Sequence, residues 1–134
     1  MGYEIYWTNL EADRQTVYKT IDMLKQVIDH RHKIELTEHG FRFDAGHETF
    51  VYRSDNKEAG CKTKRRFPYT EDIMKALIIM VETGLAKNPS HDGELSDFLQ
   101  PLEQVSDIMI LQSYKDQKKY FSSNFNGEGE YIGE

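Results

Sequence analysis

The sequence predicts an α+β domain in which a small antiparallel sheet is covered by three helices. Three observations carry that expectation. The hydrophobic period is helical over two long stretches and switches to two between them, and the apolar content is 38% against 30% charged residues, a globular balance. With 134 residues the chain fits one core better than two, so one domain is expected over residues 1–121, followed by a Gly/Glu-rich tail over 122–134.

The opening YEIYW is short and aromatic-rich, as an edge or first strand would be. Thr8 and Glu11 match a capping box, and Leu10, Val17, Ile21, Leu24 and Ile28 then recur at helical spacing, predicting a first helix that fades near residues 30–33. KIELTE-HG-FRFD reads as a hairpin, with Ile34, Leu36, Phe41 and Phe43 on the buried face and His39-Gly40 at the turn. A third strand is expected over residues 49–53. Residues 54–69 then read as a long polar loop, the kind of excursion in which functional residues concentrate.

The clearest helix covers residues 70–87, with Thr70 as N-cap, Glu71 and Asp72 complementing the helix dipole, and Asn88-Pro89 as its end. Its body is apolar on most sides, which makes it the central helix. Asp92-Gly93 marks a turn, residues 95–99 a single helical turn, and residues 102–121 a last helix in which IMIL is ambiguous with a strand.

Charge is distributed unevenly. The whole chain carries −6, yet residues 53–75 hold seven basic and four acidic side chains, a net of +3 between two acidic segments. Sequence-blind coating of DNA is disfavoured by the overall acidity. Lys62, Lys64, Arg65 and Arg66 lie within five residues and are followed by Tyr69. That grouping suits phosphate contact by guanidinium groups and stacking of a base on an aromatic ring. The competing reading has Arg65 and Arg66 neutralised by Glu71, Asp72 or the acidic last third. Such surface pairs contribute roughly 0–1 kcal/mol each and imply no ligand.

The segment CKTKRRFPYTEDIMKALIIM and the later SHDGE resemble a family of small uncharacterised phage and bacterial proteins. Its marks are a CKT-x-R-x-P-Y segment, an apolar helix and an SSDG-like turn before a last helix. Cys61, Lys62, Thr63, Arg65 and Tyr69 match the first motif, and Ser90, Asp92 and Gly93 the second. Phe67 stands as one extra residue before Pro68, and His91 replaces a serine. The likeness covers about half the chain and supplies no known activity. It implies a phage or prophage origin, hence a host-cell cytoplasmic location and interference with a host defence system. It also implies that Cys61 to Tyr69 and Asp92-Gly93 form one site. A helix of eighteen residues spans about 27 Å, so these motifs are expected to meet only across a dimer interface.

The functional expectation is therefore a non-enzymatic protein that binds a nucleotide or nucleic acid through Lys62, Lys64, Arg65, Arg66, Tyr69 and Asp92. The alternative is a regulator that docks on a host protein with its acidic last third (Glu82, Asp92, Glu94, Asp97, Glu103 and Asp107) and its aromatic tail. A cysteine enzyme built on Cys61 ranks last, since no histidine has diagnostic spacing. No metal, cofactor or membrane partner is expected: His32 with Asp44, His47 or Glu48 is the nearest approach to a metal cluster, no apolar run reaches membrane-spanning length, and the N-terminus lacks signal-peptide features.

Overall fold

The computed structural model describes residues 3–45, 48–63 and 68–122. It is an α+β fold with two small antiparallel sheets of three strands each. In chain order the elements are β1 (Tyr3–Asn9), α1 (Arg14–Val27), β2 (Ile34–Leu36), β3 (Gly40–Asp44), β4 (Thr49–Arg53) and β5 (Glu58–Thr63). They continue with α2 (Pro68–Thr83), β6 (Ala86–His91), a 3-10 turn (Leu95–Phe98), α3 (Leu99–Ile108) and α4 (Tyr114–Tyr120). The sheet is thus divided in two, and four helices stand where three were expected. One sheet has the order β5-β1-β6, the other β2-β3-β4.

β1 is the first strand, one of the two expected readings, and it lies at the centre of its sheet and not at an edge. It runs past Thr8 because Asn9 N–H donates to the Lys57 carbonyl at 2.7 Å and Leu10 N–H to the Leu85 carbonyl at 2.8 Å. Those bonds hold Asn9 and Leu10, the residues between Thr8 and Glu11, in extended form where a capping box was expected. The helix starts later, at Asp13, whose carboxylate accepts from Thr16 N–H at 2.7 Å. Hydrogen bonding by the Thr16 side chain, and by this backbone N–H, lowers the Asp13 pKa. The predicted stripe survives as Val17, Ile21, Leu24 and Ile28, all buried, whereas Leu10 lies outside the helix and its carbonyl accepts from Tyr52 Oη at 2.6 Å.

The second sheet follows its predicted pattern closely. Phe41, Phe43, Phe50 and Tyr52 are buried on one face, with Phe43 stacked on Phe50 at 5.1 Å and Phe41 on Tyr52 at 5.7 Å. Leu36 departs from expectation and is 49% exposed, at the end of a three-residue edge strand. Gly40 is less a turn residue than a point of close approach: a Cβ there would lie 2.1 Å from the Tyr52 carbonyl oxygen. Trp7 of β1 stacks on Phe50 at 4.9 Å and joins the two sheets.

α2 is the central helix, as its composition predicts. Ile73, Met74, Ala76, Leu77, Ile78, Ile79 and Met80 are buried, and the helix packs against α1, α3 and β6. Its first helical residue is Pro68, so Thr70 is a buried residue of the first turn and not the cap. It also ends before residue 87. Gly84 has φ +84°, Leu85 N–H bonds the Met80 carbonyl at 2.8 Å and Gly84 N–H the Val81 carbonyl at 3.4 Å, which is a Schellman stop. The chain released there forms β6. The expected last helix is likewise broken: the Glu82 carboxylate accepts from Gln112 N–H, Ser113 N–H and Ser113 Oγ at 3.1, 2.8 and 2.6 Å, which separates α3 from α4.

Candidate functional site

Residues 54–69, expected to be one loop, contain β5. Its sequence EAGCKT has Thr63 alone among the usual strand formers, and its extended form follows from pairing along β1, with Cys61 opposite Ile5 and Lys62 opposite Glu4. On the other side of β1, His91 of β6 also lies opposite Ile5. Asp92 N–H donates to the Glu4 carbonyl at 3.2 Å, and its carboxylate accepts from Glu4 N–H at 3.0 Å. Lys62 and Asp92 therefore flank Glu4, two strand spacings or about 10 Å apart in backbone terms.

This arrangement corrects the separation expected for the two motifs. α2 does lead the chain away, but β6 returns it, because β5 and β6 both run antiparallel to β1. The end of β5 and the Asp92-Gly93 turn thus meet at one end of one sheet within a single subunit. No dimer is needed to bring them together.

Each residue of the turn has a visible task. His91 points inward, buried, with its ring 5.0 Å from that of Phe98, and its Nδ1 accepts from Gly93 N–H at 3.2 Å. Phe98 in turn stacks on Phe121 at 4.5 Å, anchoring the turn to the last helix. Asp92 points outward and extends the ladder onto Glu4. Beside it Tyr6, 44% exposed, donates its hydroxyl to the Glu4 carboxylate, which raises the Tyr6 pKa.

Of the predicted ligand residues, Asp92 is described in full, the Lys62 backbone lies in β5, and Tyr69 belongs to the first turn of α2. Lys64, Arg65 and Arg66 lie outside the described residues. The described chain stops at Thr63 and resumes at Pro68, so these three cations connect the sheet end to the start of α2.

Several acids named in the competing reading have partners among the described residues. Asp72 Oδ2 lies 2.9 Å from His32 Nε2 and accepts from Asp29 N–H at 3.3 Å. Glu82 holds the start of α4, Asp97 accepts from Glu94 N–H at 3.1 Å, and Glu103 accepts from Tyr114 Oη at 2.5 Å. Glu82, Asp97 and Glu103 thus also serve local structure, while Glu94 and Asp107 are exposed.

Cys61 is 5% exposed, and burial, with Glu48 nearby, pushes its thiol up to about 12. An activated nucleophile needs the opposite shift, so Cys61 is a packing residue. His32 is engaged with Asp72 and not with Asp44 or Glu48, and His47 lies outside the described residues. Among the described residues no group of three or more His, Cys, Asp or Glu could hold a metal ion. No described helix is long and apolar enough to cross a membrane.

The signal that sequence reading missed was Gly84 as a helix stop. Placing β6 after it would have brought Asp92 back to the sheet. No protein-family model, curated protein or solved structure matches the chain.

Proposed function

We propose that this chain is a non-enzymatic accessory protein of phage type that binds a phosphate-bearing ligand, a nucleotide or nucleic acid, at the end of the β5-β1-β6 sheet. The convergence of β5 and the Asp92-Gly93 turn at that end carries the reading, because it turns two separate motifs into one location. In it Lys62, Lys64, Arg65 and Arg66 neutralise phosphate, Tyr69 offers a stacking face, and Asp92 fixes the floor of the site by holding Glu4. The resemblance of the two motifs to phage proteins supports a role in the host cytoplasm, and interference with a host defence system is the activity that such an origin implies.

The test is binding of a fluorescent nucleotide and a short single-stranded oligonucleotide to the wild type and to an Arg65→Ala, Arg66→Ala double variant. Affinity is expected to fall at least about tenfold in the variant, a loss of roughly 1.4 kcal/mol, and to weaken steadily with salt in the wild type. Binding that ignores both salt and the substitutions would sink the proposal.

A further inference from the structure

We propose that the outer edge of β5 is a homodimer seam, at which two copies join antiparallel about Gly60 to make one six-stranded sheet. This rests on the described strand and shares only the Lys62 position with the ligand reading.

Strand geometry identifies which backbone groups are free. Glu4 directs both its N–H and its carbonyl toward β6, as its two bonds to Asp92 show. Backbone groups alternate along a strand, so Tyr3, Ile5 and Trp7 face β5, and their partners Thr63, Cys61 and Ala59 face back. The bond from Asn9 N–H to the Lys57 carbonyl continues that alternation. Glu58, Gly60 and Lys62 consequently direct their N–H and carbonyl groups away from the sheet. The preceding strand, β4, belongs to the other sheet, and Glu58 and Gly60 are exposed.

Two of the other three edges, β6 and β2, are blunted where this one is not. β6 contains Pro89, whose carbonyl accepts from Tyr120 Oη at 2.5 Å, and Asn88 with φ 53°. β2 has three residues. β5 has six, with neither a proline nor a bulge in its pairing with β1, and an edge of that kind is a template for a further strand.

Its sequence is self-complementary in one register. A two-fold axis through Gly60 sets the Glu58 position of each copy opposite the Lys62 position of the other, while centring on residue 58 or 62 would oppose like charges. Opposite charges across a strand pair stabilise it and like charges oppose it. At the axis two glycines meet, and the Tyr6 ring covers each on its outer face, 3.0 Å from where a Cβ would stand. The interface is isologous, as a closed dimer requires.

Light scattering on the full chain should report a dimer that dissociates on dilution. Glu58→Lys opposes two lysine positions while facing only Thr8 within its own sheet, and should weaken dimerisation roughly tenfold without changing the circular dichroism spectrum. A Glu58→Cys, Lys62→Cys variant should form a disulfide-linked dimer under mild oxidation, whereas neither single variant should. Within one chain those positions are four strand residues or about 13 Å apart, beyond disulfide reach. A wild type that stays monomeric at high micromolar concentration overturns the proposal, as does a dimer indifferent to Glu58→Lys that fails to cross-link.

Discussion

The two sheets have equal strand numbers and opposite origins. The β2-β3-β4 sheet joins consecutive strands, and its buried face is an aromatic layer of Phe41, Phe43, Phe50 and Tyr52. The β5-β1-β6 sheet gathers strands from three separated parts of the chain, and its buried face is assorted: Ile5, Trp7, Cys61, Ala86 and His91. The first sheet follows from local pattern. The second depends on where α2 stops and on backbone bonds between remote residues.

The contrast can be attacked first at the join. Phe50→Ala removes the ring that stacks on both Trp7 and Phe43, and should cost about 3–5 kcal/mol. Trp7, the single tryptophan, and far-UV circular dichroism should then report one common urea transition at lower midpoint. Separate transitions would mean that the sheets unfold independently.

A glycine in each sheet sharpens the comparison. Gly40→Ala places its new carbon 2.1 Å from a backbone oxygen of Tyr52, which cannot move without breaking the strand pair, so a loss of about 3 kcal/mol is expected. Gly60→Ala meets the mobile Tyr6 ring at 3.0 Å and the Ile5 carbonyl at 3.3 Å, and should cost less than about 1 kcal/mol. Equal losses in denaturant melts would contradict the tighter packing assigned to the aromatic sheet.

The last contrast is a pH dependence placed in the second sheet. The Cys61 thiol is raised from its ordinary 9.0 to about 12 by burial, so above pH 9 the unfolded chain gives up the proton before the folded one does. Stability from this group is whole below about pH 9 and declines as pH rises toward about 12. Burial raises the Tyr52 pKa too and acts in the same direction, so the informative measurement is the difference between wild type and Cys61→Ala. The variant should lose stability less steeply with alkali; identical slopes would argue against a buried, protonated thiol.

Legibility in the sequence divides along the same line. β4 has the predicted bounds, and Phe41 and Phe43 are buried as the two-residue period requires. β5 was unreadable because EAGCKT has a glycine, two charges and only Ala59 and Cys61 to turn inward; it is extended because β1 offers a partner. β6 was hidden because AKNPSH contains Asn88-Pro89, a pair that reads as the end of a helix. The chemical make-up of the candidate site was visible in Lys62 to Tyr69 and in Asp92-Gly93. Their meeting was not, since it depends on β6.

The placement of β1 also governs the order in which the molecule can assemble. It is made before its partners, one of which follows roughly fifty to sixty residues later and the other some eighty. Its apolar face, with Ile5 and Trp7, stays unsatisfied through most of synthesis. Contacts of such long sequence separation slow folding and prolong exposure to aggregation. The meander and α1 can form early and locally; the sheet end that brings the two motifs together is completed late, once residue 92 has been made and can reach back to residue 4.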